Sequence, residues 1–153
     1  MESVFSEEGL IKCHEEIRNL ALSLSFEVSR VDCPALSFGR AGVQFLSFRP
    51  KAPKIIMIIS GTHGVEGPTG YNLQKFLLKS KVHEKLPTDT GLVFVVALNP
   101  WGWANGRRTD ENNVDLNRNG SYSAPPVLPP LDPEINALVN PEVCDGKWYQ
   151  TLE

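Results

Sequence analysis

Cysteine is scarce in this sequence. Cys13, Cys33 and Cys144 are widely separated and odd in number, which excludes a disulfide framework and a CxxC metal knuckle and points to a reducing compartment. An excess of basic charge is also missing: 15 Lys and Arg stand against 18 Asp and Glu, a formal net charge of -3. Binding to a phosphate backbone depends on such an excess, so nucleic acid is not an expected partner. Long apolar runs are absent too. The longest, residues 92–98, is far short of a membrane span, and the opening MESVFSEEGL has no basic stretch followed by an apolar one. The expectation is a soluble cytoplasmic protein that binds no membrane. No internal repeat or low-complexity tract is found. What is present is ordinary globular composition, 41% apolar and 22% charged over 153 residues, enough for one domain with a packed core.

Ser6 followed by Glu7 and Glu8 reads as a helix N-cap with acids in the first turn, and Leu10, Ile11, Ile17, Leu20, Ala21 and Leu24 supply an apolar stripe, predicting a helix over 6–22. Phe26, Val28 and Val31, then Val43, Phe45, Leu46 and Phe48, suggest a strand pair. Residues 54–60, KIIMIIS, are apolar at almost every position and rich in β-branched side chains, the pattern of a strand buried on both faces inside a sheet. A glycine-punctuated loop at 61–67, a helix at 69–79 and a second buried strand at 91–98 complete a β-loop-α-β unit. The 61–67 loop then lies at the strand's C-terminal edge, where open α/β sheets bind ligands. Past Asn99-Pro100 the chain reads as a long polar loop with too little apolar content for a core element. Six of the twelve prolines fall between Pro125 and Pro141, which excludes a long helix there and leaves room only for a short one within 131–139. Domain organisation is read as 1–124 followed by a proline-rich tail, 125–153.

Two segments carry chemistry. In Gly61-Thr-His-Gly-Val-Glu-Gly67 a His and a Glu three residues apart, between a strand exit and a helix entrance, can turn toward one point. Imidazole nitrogen and carboxylate oxygen both ligate zinc, and the glycines keep side chains away from the cation. The plainer reading is a loop imidazole and a first-turn acid. A phosphate cradle is disfavoured, because Glu66 would repel the anion and the P-loop lysine is missing. The second segment, residues 99–119, holds Arg107, Arg108, Asn117 and Arg118 among amides and acids. Guanidinium groups can grip a carboxylate or stabilise an oxyanion. Alternatively these arginines pair with Asp110, Glu111 and Asp115 in a solvated loop.

Taken together, a strand followed by GTHGVEG, a strand ending in NP, then an arginine and VDLNRN resemble the zinc carboxypeptidase superfamily, which includes aspartoacylase-like deacylases, and most closely a poorly characterised bacterial-type branch of it. The resemblance covers about residues 55–119. It implies an α/β fold with a mixed, mainly parallel sheet and flanking helices. It further implies His63 and Glu66 as zinc ligands, Arg108 as the oxyanion-stabilising arginine, with Arg107 the other claimant, and Asn117 and Arg118 as the grip on a terminal carboxylate. The implied reaction is hydrolysis of an amide beside a free carboxylate, in a peptide C-terminus or an N-acyl amino acid.

The same resemblance implies a third zinc ligand, a histidine downstream of the Asn-Arg pair, and beyond it a glutamate that acts as base. No histidine follows His83, and His83 itself falls in the 79–87 linker, where a solvent-exposed side chain is expected. His14, on the first helix, fits no better. Glu134, Glu142 and Glu153 lie in the proline-rich tail, and none can be assigned as the base. Relatives commonly have an aromatic where Gly120-Ser121 stand. Two ligands predict weak zinc binding. The chain therefore reads as the N-terminal half of such a hydrolase, incomplete or inactive as it stands, its site to be finished by a missing half or by an oligomer. The second reading is a non-catalytic module that binds peptide C-termini or acyl-amino acids through Arg108, Asn117 and Arg118. A third is an unstable relic whose cut sheet exposes an edge.

Overall fold

A computed structural model describes residues 3–36 and 41–119. Expectations that fall on 120–153, including the short helix and the tail glutamates, lie outside the described residues. Helix α1, Glu7–Ser23, begins as its sequence requires: the Ser6 hydroxyl accepts the Gly9 N–H at 2.9 Å, and Glu7 and Glu8 occupy the first turn. Leu10, His14, Ile17 and Ala21, spaced by three or four, are its buried stripe. Strands β1, Glu27–Asp32, and β2, Gly42–Phe48, pair antiparallel. Strand β3, Lys54–Ile59, leads through the 3-10 turn Gly64–Glu66 into α2, Gly67–Lys79, and a second 3-10 turn, Val82–Lys85, leads to β4, Thr90–Val96.

The four strands form one mixed sheet in the order β1-β2-β4-β3. Only β3 and β4 run parallel; the other two pairings are antiparallel, so these strands lack the expected parallel majority. Register puts Leu46, Leu92, Phe94 and Val96 on one face. There they join Leu10, Ile17 and Ala21 of α1 and Tyr71 and Leu78 of α2 in a single core. Each Leu, Ile, Val or Phe among them contributes about 1.5–3 kcal/mol by leaving water. Both long helices therefore pack on the same face. They are tied to each other where the Tyr71 hydroxyl donates to the Glu16 carboxylate and Lys75 pairs with it at 3.0 Å. A buried amide, Gln74, donates to the carbonyls of Ile58 and Val95 and accepts from the Ser60 hydroxyl, fixing α2 across the ends of β3 and β4.

Among the described residues strand β3 lies at an edge of the sheet and not inside it, and Ile55, Ile56, Met57 and Ile59 are each more than two-fifths exposed. A run that is apolar at every position shows that both faces call for cover, but it does not name the cover, and among the described residues β3 pairs only with β4. His83 departs from expectation in the opposite sense: it is 3% exposed and packs edge-on against Phe26 and Phe48, with ring centroids 4.9 and 4.8 Å away.

His14 is equally buried, and neither of its ring nitrogens has a hydrogen-bond partner among the described residues. Burial, reinforced by the Arg30 charge, pushes its pKa down to about 4. Because the folded state holds His14 neutral while the unfolded chain titrates near 6.5, its contribution is complete above that value and is lost as the pH falls toward 4. Denaturant titrations should show this group removing about 2 kcal/mol between neutral pH and roughly pH 5. His83, also held low by burial, adds a loss of the same sign. A His14→Leu variant should retain the His83 part of the slope and lose the rest.

Candidate functional site

The site is assembled at the C-terminal end of β3, where the 61–67 loop meets the segment after β4. Asn99, 2% exposed, organises the junction. Its N–H donates to the Gly61 carbonyl at 2.8 Å, and its side-chain oxygen accepts the Gly102 N–H at 2.8 Å, capping α3, Pro100–Ala104. This short helix corrects the reading of residues 99–119 as a loop without a core element, because Trp103 is fully buried. The Trp103 indole N–H donates to the Val4 carbonyl at 2.9 Å.

Gly64 and Gly67 explain how α3 can sit there. A Cβ on Gly64 would overlap the Gly102 backbone, and one on Gly67 would overlap the Trp103 ring. In this arrangement these two glycines serve helix-to-turn packing, a role different from clearing space around a cation. The contact is tied by the Val65 N–H donating to the Arg107 carbonyl at 3.1 Å and the Arg107 N–H donating to Gly102 at 2.7 Å.

His63 is buried, 7% exposed, with a carboxylate at each ring nitrogen: Nδ1 lies 3.0 Å from Oε1 of Glu66, and Nε2 lies 3.0 Å from Oδ1 of Asp115. Oδ2 of Asp115 accepts from Nε of Arg108 at 3.1 Å and forms an ion pair with its Nη2 at 3.1 Å. Asp115 also caps the 3-10 turn Leu116–Arg118 by accepting the Asn117 N–H at 2.9 Å. Its residual burial raises the carboxyl pKa, but the Asn117 amide, Arg108 and His63 together outweigh that and hold it below the usual Asp value.

An imidazole can donate to two carboxylates at once only as the imidazolium. A ring that donates only its Nε2–H, to Asp115, would turn an Nδ1 lone pair toward Glu66, and Nδ1 and Oε1, 3.0 Å apart, stand about as close as ligands of one small cation. The far-side carboxylate is the partner that commonly orients a metal-bound histidine. To this extent the pair fits a metal. The set is short for catalytic zinc, which takes three protein ligands, and among the described residues no cluster of three metal-capable groups is found. Neither His14 nor His83, each buried in the core, belongs to the site.

His63, Glu66, Arg108 and Asp115 are thus joined by direct contacts. Asn117 and Arg118 stand in the turn that follows Asp115 with exposed side chains, the Arg118 guanidinium donating to the Asn117 carbonyl at 3.1 Å. Arg107 enters through its backbone and Arg108 through its side chain. The pairing of Arg108 with Asp115 agrees with the plainer reading of that loop. Sequence reasoning gave Asp115 no role toward His63; the signal available was its place two residues before Asn117, the spacing of an Asx cap.

A Gly64→Ala substitution should destabilise the chain by about 3 kcal/mol or more, because backbone on both sides leaves nothing flexible to yield. Thermal melts check this, and near-ultraviolet circular dichroism should register the displaced Trp103. No curated protein matches the sequence. A family model described as "Protein of unknown function (DUF2817)" matches residues 44–144.

Proposed function

The chain belongs to the DUF2817 family, and on that footing we propose that it carries part of the active site of a zinc-dependent hydrolase of the carboxypeptidase type. The reaction is cleavage of an amide beside a free carboxylate, in a peptide C-terminus or an N-acyl amino acid. The observation that carries this reading is His63 held between Glu66 and Asp115, one ring nitrogen directed to each. His63 and Glu66 would hold the metal. A bound zinc supplies Lewis acidity and an acidified water. Asp115 fixes the His63 ring through Nε2. Arg108, half exposed and resting on Asp115, is free to swing its guanidinium to a carbonyl oxygen as negative charge develops there. Asn117 and Arg118 set the register by gripping the terminal carboxylate, the Arg118 fork in bidentate fashion.

The resemblance to the zinc carboxypeptidase superfamily, with its larger and mainly parallel sheet, belongs to the same proposal. So do the cytoplasmic location and the completion of the site by further protein. A non-catalytic module that binds carboxylate-bearing ligands through Arg108, Asn117 and Arg118 is the second reading. What favours it is the shortage of metal-capable groups beside His63 and Glu66 among the described residues.

Calorimetric titration separates the two readings. Zinc added to the 153-residue chain should bind weakly at one site, and His63→Ala or Glu66→Gln should abolish the binding. An N-acylated dipeptide with a free C-terminus should bind at least tenfold tighter than its C-terminal amide, a preference lost in Arg118→Ala. Zinc heat that persists in both ligand variants would overturn the metal assignment. Carboxylate selectivity without any zinc binding would leave the binding module.

A further inference from the structure

Between Arg108 and Asp115 the chain leaves the site and returns to it. The outgoing end is anchored by backbone, with the Arg107 N–H bonded to Gly102 and the Arg107 carbonyl to Val65. The returning end has no such anchor. Among the described residues, no backbone group from 111 to 116 bonds to α3, to the 61–67 loop or to a strand. The backbone hydrogen bonds that turn Asp115 back toward Arg108 are those inside the loop itself.

Four of these converge on Asp110. Its Oδ1 accepts the Asn112 N–H at 2.9 Å and the Val114 N–H at 2.8 Å. Its own N–H donates to the Val114 carbonyl at 3.0 Å, and its carbonyl accepts the Asn113 N–H at 3.1 Å. Asn113, with φ at 60°, supplies the left-handed residue that reverses the chain, a conformation its short polar side chain tolerates. The Thr109 hydroxyl donates to the Asn113 side-chain oxygen at 3.0 Å and closes the loop a second time. Among the described residues Asp110 has no arginine partner, so its carboxylate serves amides instead.

We infer that Asp110 is a positioning residue of the site: its Oδ1, fixed between two amides, folds the 108–115 segment so that Asp115 meets Arg108 and the Nε2 side of His63. No hydrogen bond joins Asp110 to His63, Glu66, Arg108 or Asp115, so it acts only through the path of the backbone. Its bearing on hydrolysis or carboxylate binding rests on the proposed function; the closure of the loop does not. The role belongs to an oxygen at one distance from the backbone. An asparagine offers that oxygen without the charge, and a glutamate keeps the charge but carries its oxygens one methylene too far.

Hydrogen exchange at the Arg108 Nε–H tests this on the full 153-residue chain without metal or ligand, read by nitrogen-15 NMR and assigned by loss of the signal in Arg108→Lys. In the parent this proton is held on Oδ2 of Asp115 and its exchange is slowed. Asp110→Ala should speed exchange about tenfold or more, and Asp110→Glu should do the same. Asp110→Asn should stay within about twofold of the parent. The glutamate variant decides if the alanine one fails to fold. Exchange unchanged in the glutamate variant, or as fast in the asparagine variant as in the other two, would overturn the inference. Binding of zinc or of the N-acylated dipeptide should follow the same order among the variants, and a different order would equally overturn the positioning role. A parent that binds neither ligand sinks the proposed function, and the Arg108 signal then decides this inference alone.

Discussion

The close approach of α3 to the turn between β3 and α2 is the constraint on which the site depends. At Gly64 and Gly67 the turn has no side chain, so backbone of one element lies directly on backbone and indole of the other. Close packing at that spacing leaves the junction no room to drift. Two strand ends are thereby locked: β3 releases His63 at a fixed position, and the chain leaving β4 returns with Arg108 and Asp115 opposite it. Asn99 adds direction to the fit, because one buried side chain caps α3 while its own backbone is bonded to Gly61.

Electrostatics then act within that frame. Asp115 is shared between a ring nitrogen, a guanidinium and a backbone amide, so one carboxylate coordinates the orientation of three groups with different chemistry. Its low pKa keeps it available as an acceptor across the physiological range. Glu66 differs: its side chain is 63% exposed and it touches only the other ring nitrogen of the histidine in this network. The arrangement has one half-buried, committed acid and one open acid, and under the proposed function the open acid is where an incoming cation would be met.

Much of this was readable from residues. The Ser6 cap and the stripe of α1, the β1–β2 pair, and the strand, helix and strand from 54 to 96 follow from caps and periodicity, and their bounds agree within a few residues. Four features were not readable, each for a different reason. The apolar run of β3 shows that both faces call for cover without showing what covers them. His83 is polar and sits in a short linker, so nothing local reveals that Phe26 and Phe48 close over it. Trp103 stands in a segment too polar to suggest a core element, and its burial depends on glycines almost forty residues away in the chain. The pairing of His63 with Glu66 is a matter of spacing and was visible; that with Asp115 is tertiary and was not.

That last contact joins residues 52 positions apart. Closing so long a loop costs conformational entropy that no local interaction offsets until β4 has docked beside β3 and α3 has reached the turn. His63 therefore acquires its second carboxylate only after the intervening strand and helices are in place. The geometry of the site is a late product of folding, and a partly folded chain has the motif without the centre. Any rearrangement that frees the segment after α3 from the 61–67 loop dissolves the centre while leaving the hydrophobic core of the sheet intact, so integrity of the fold and integrity of the site are separable states of the molecule.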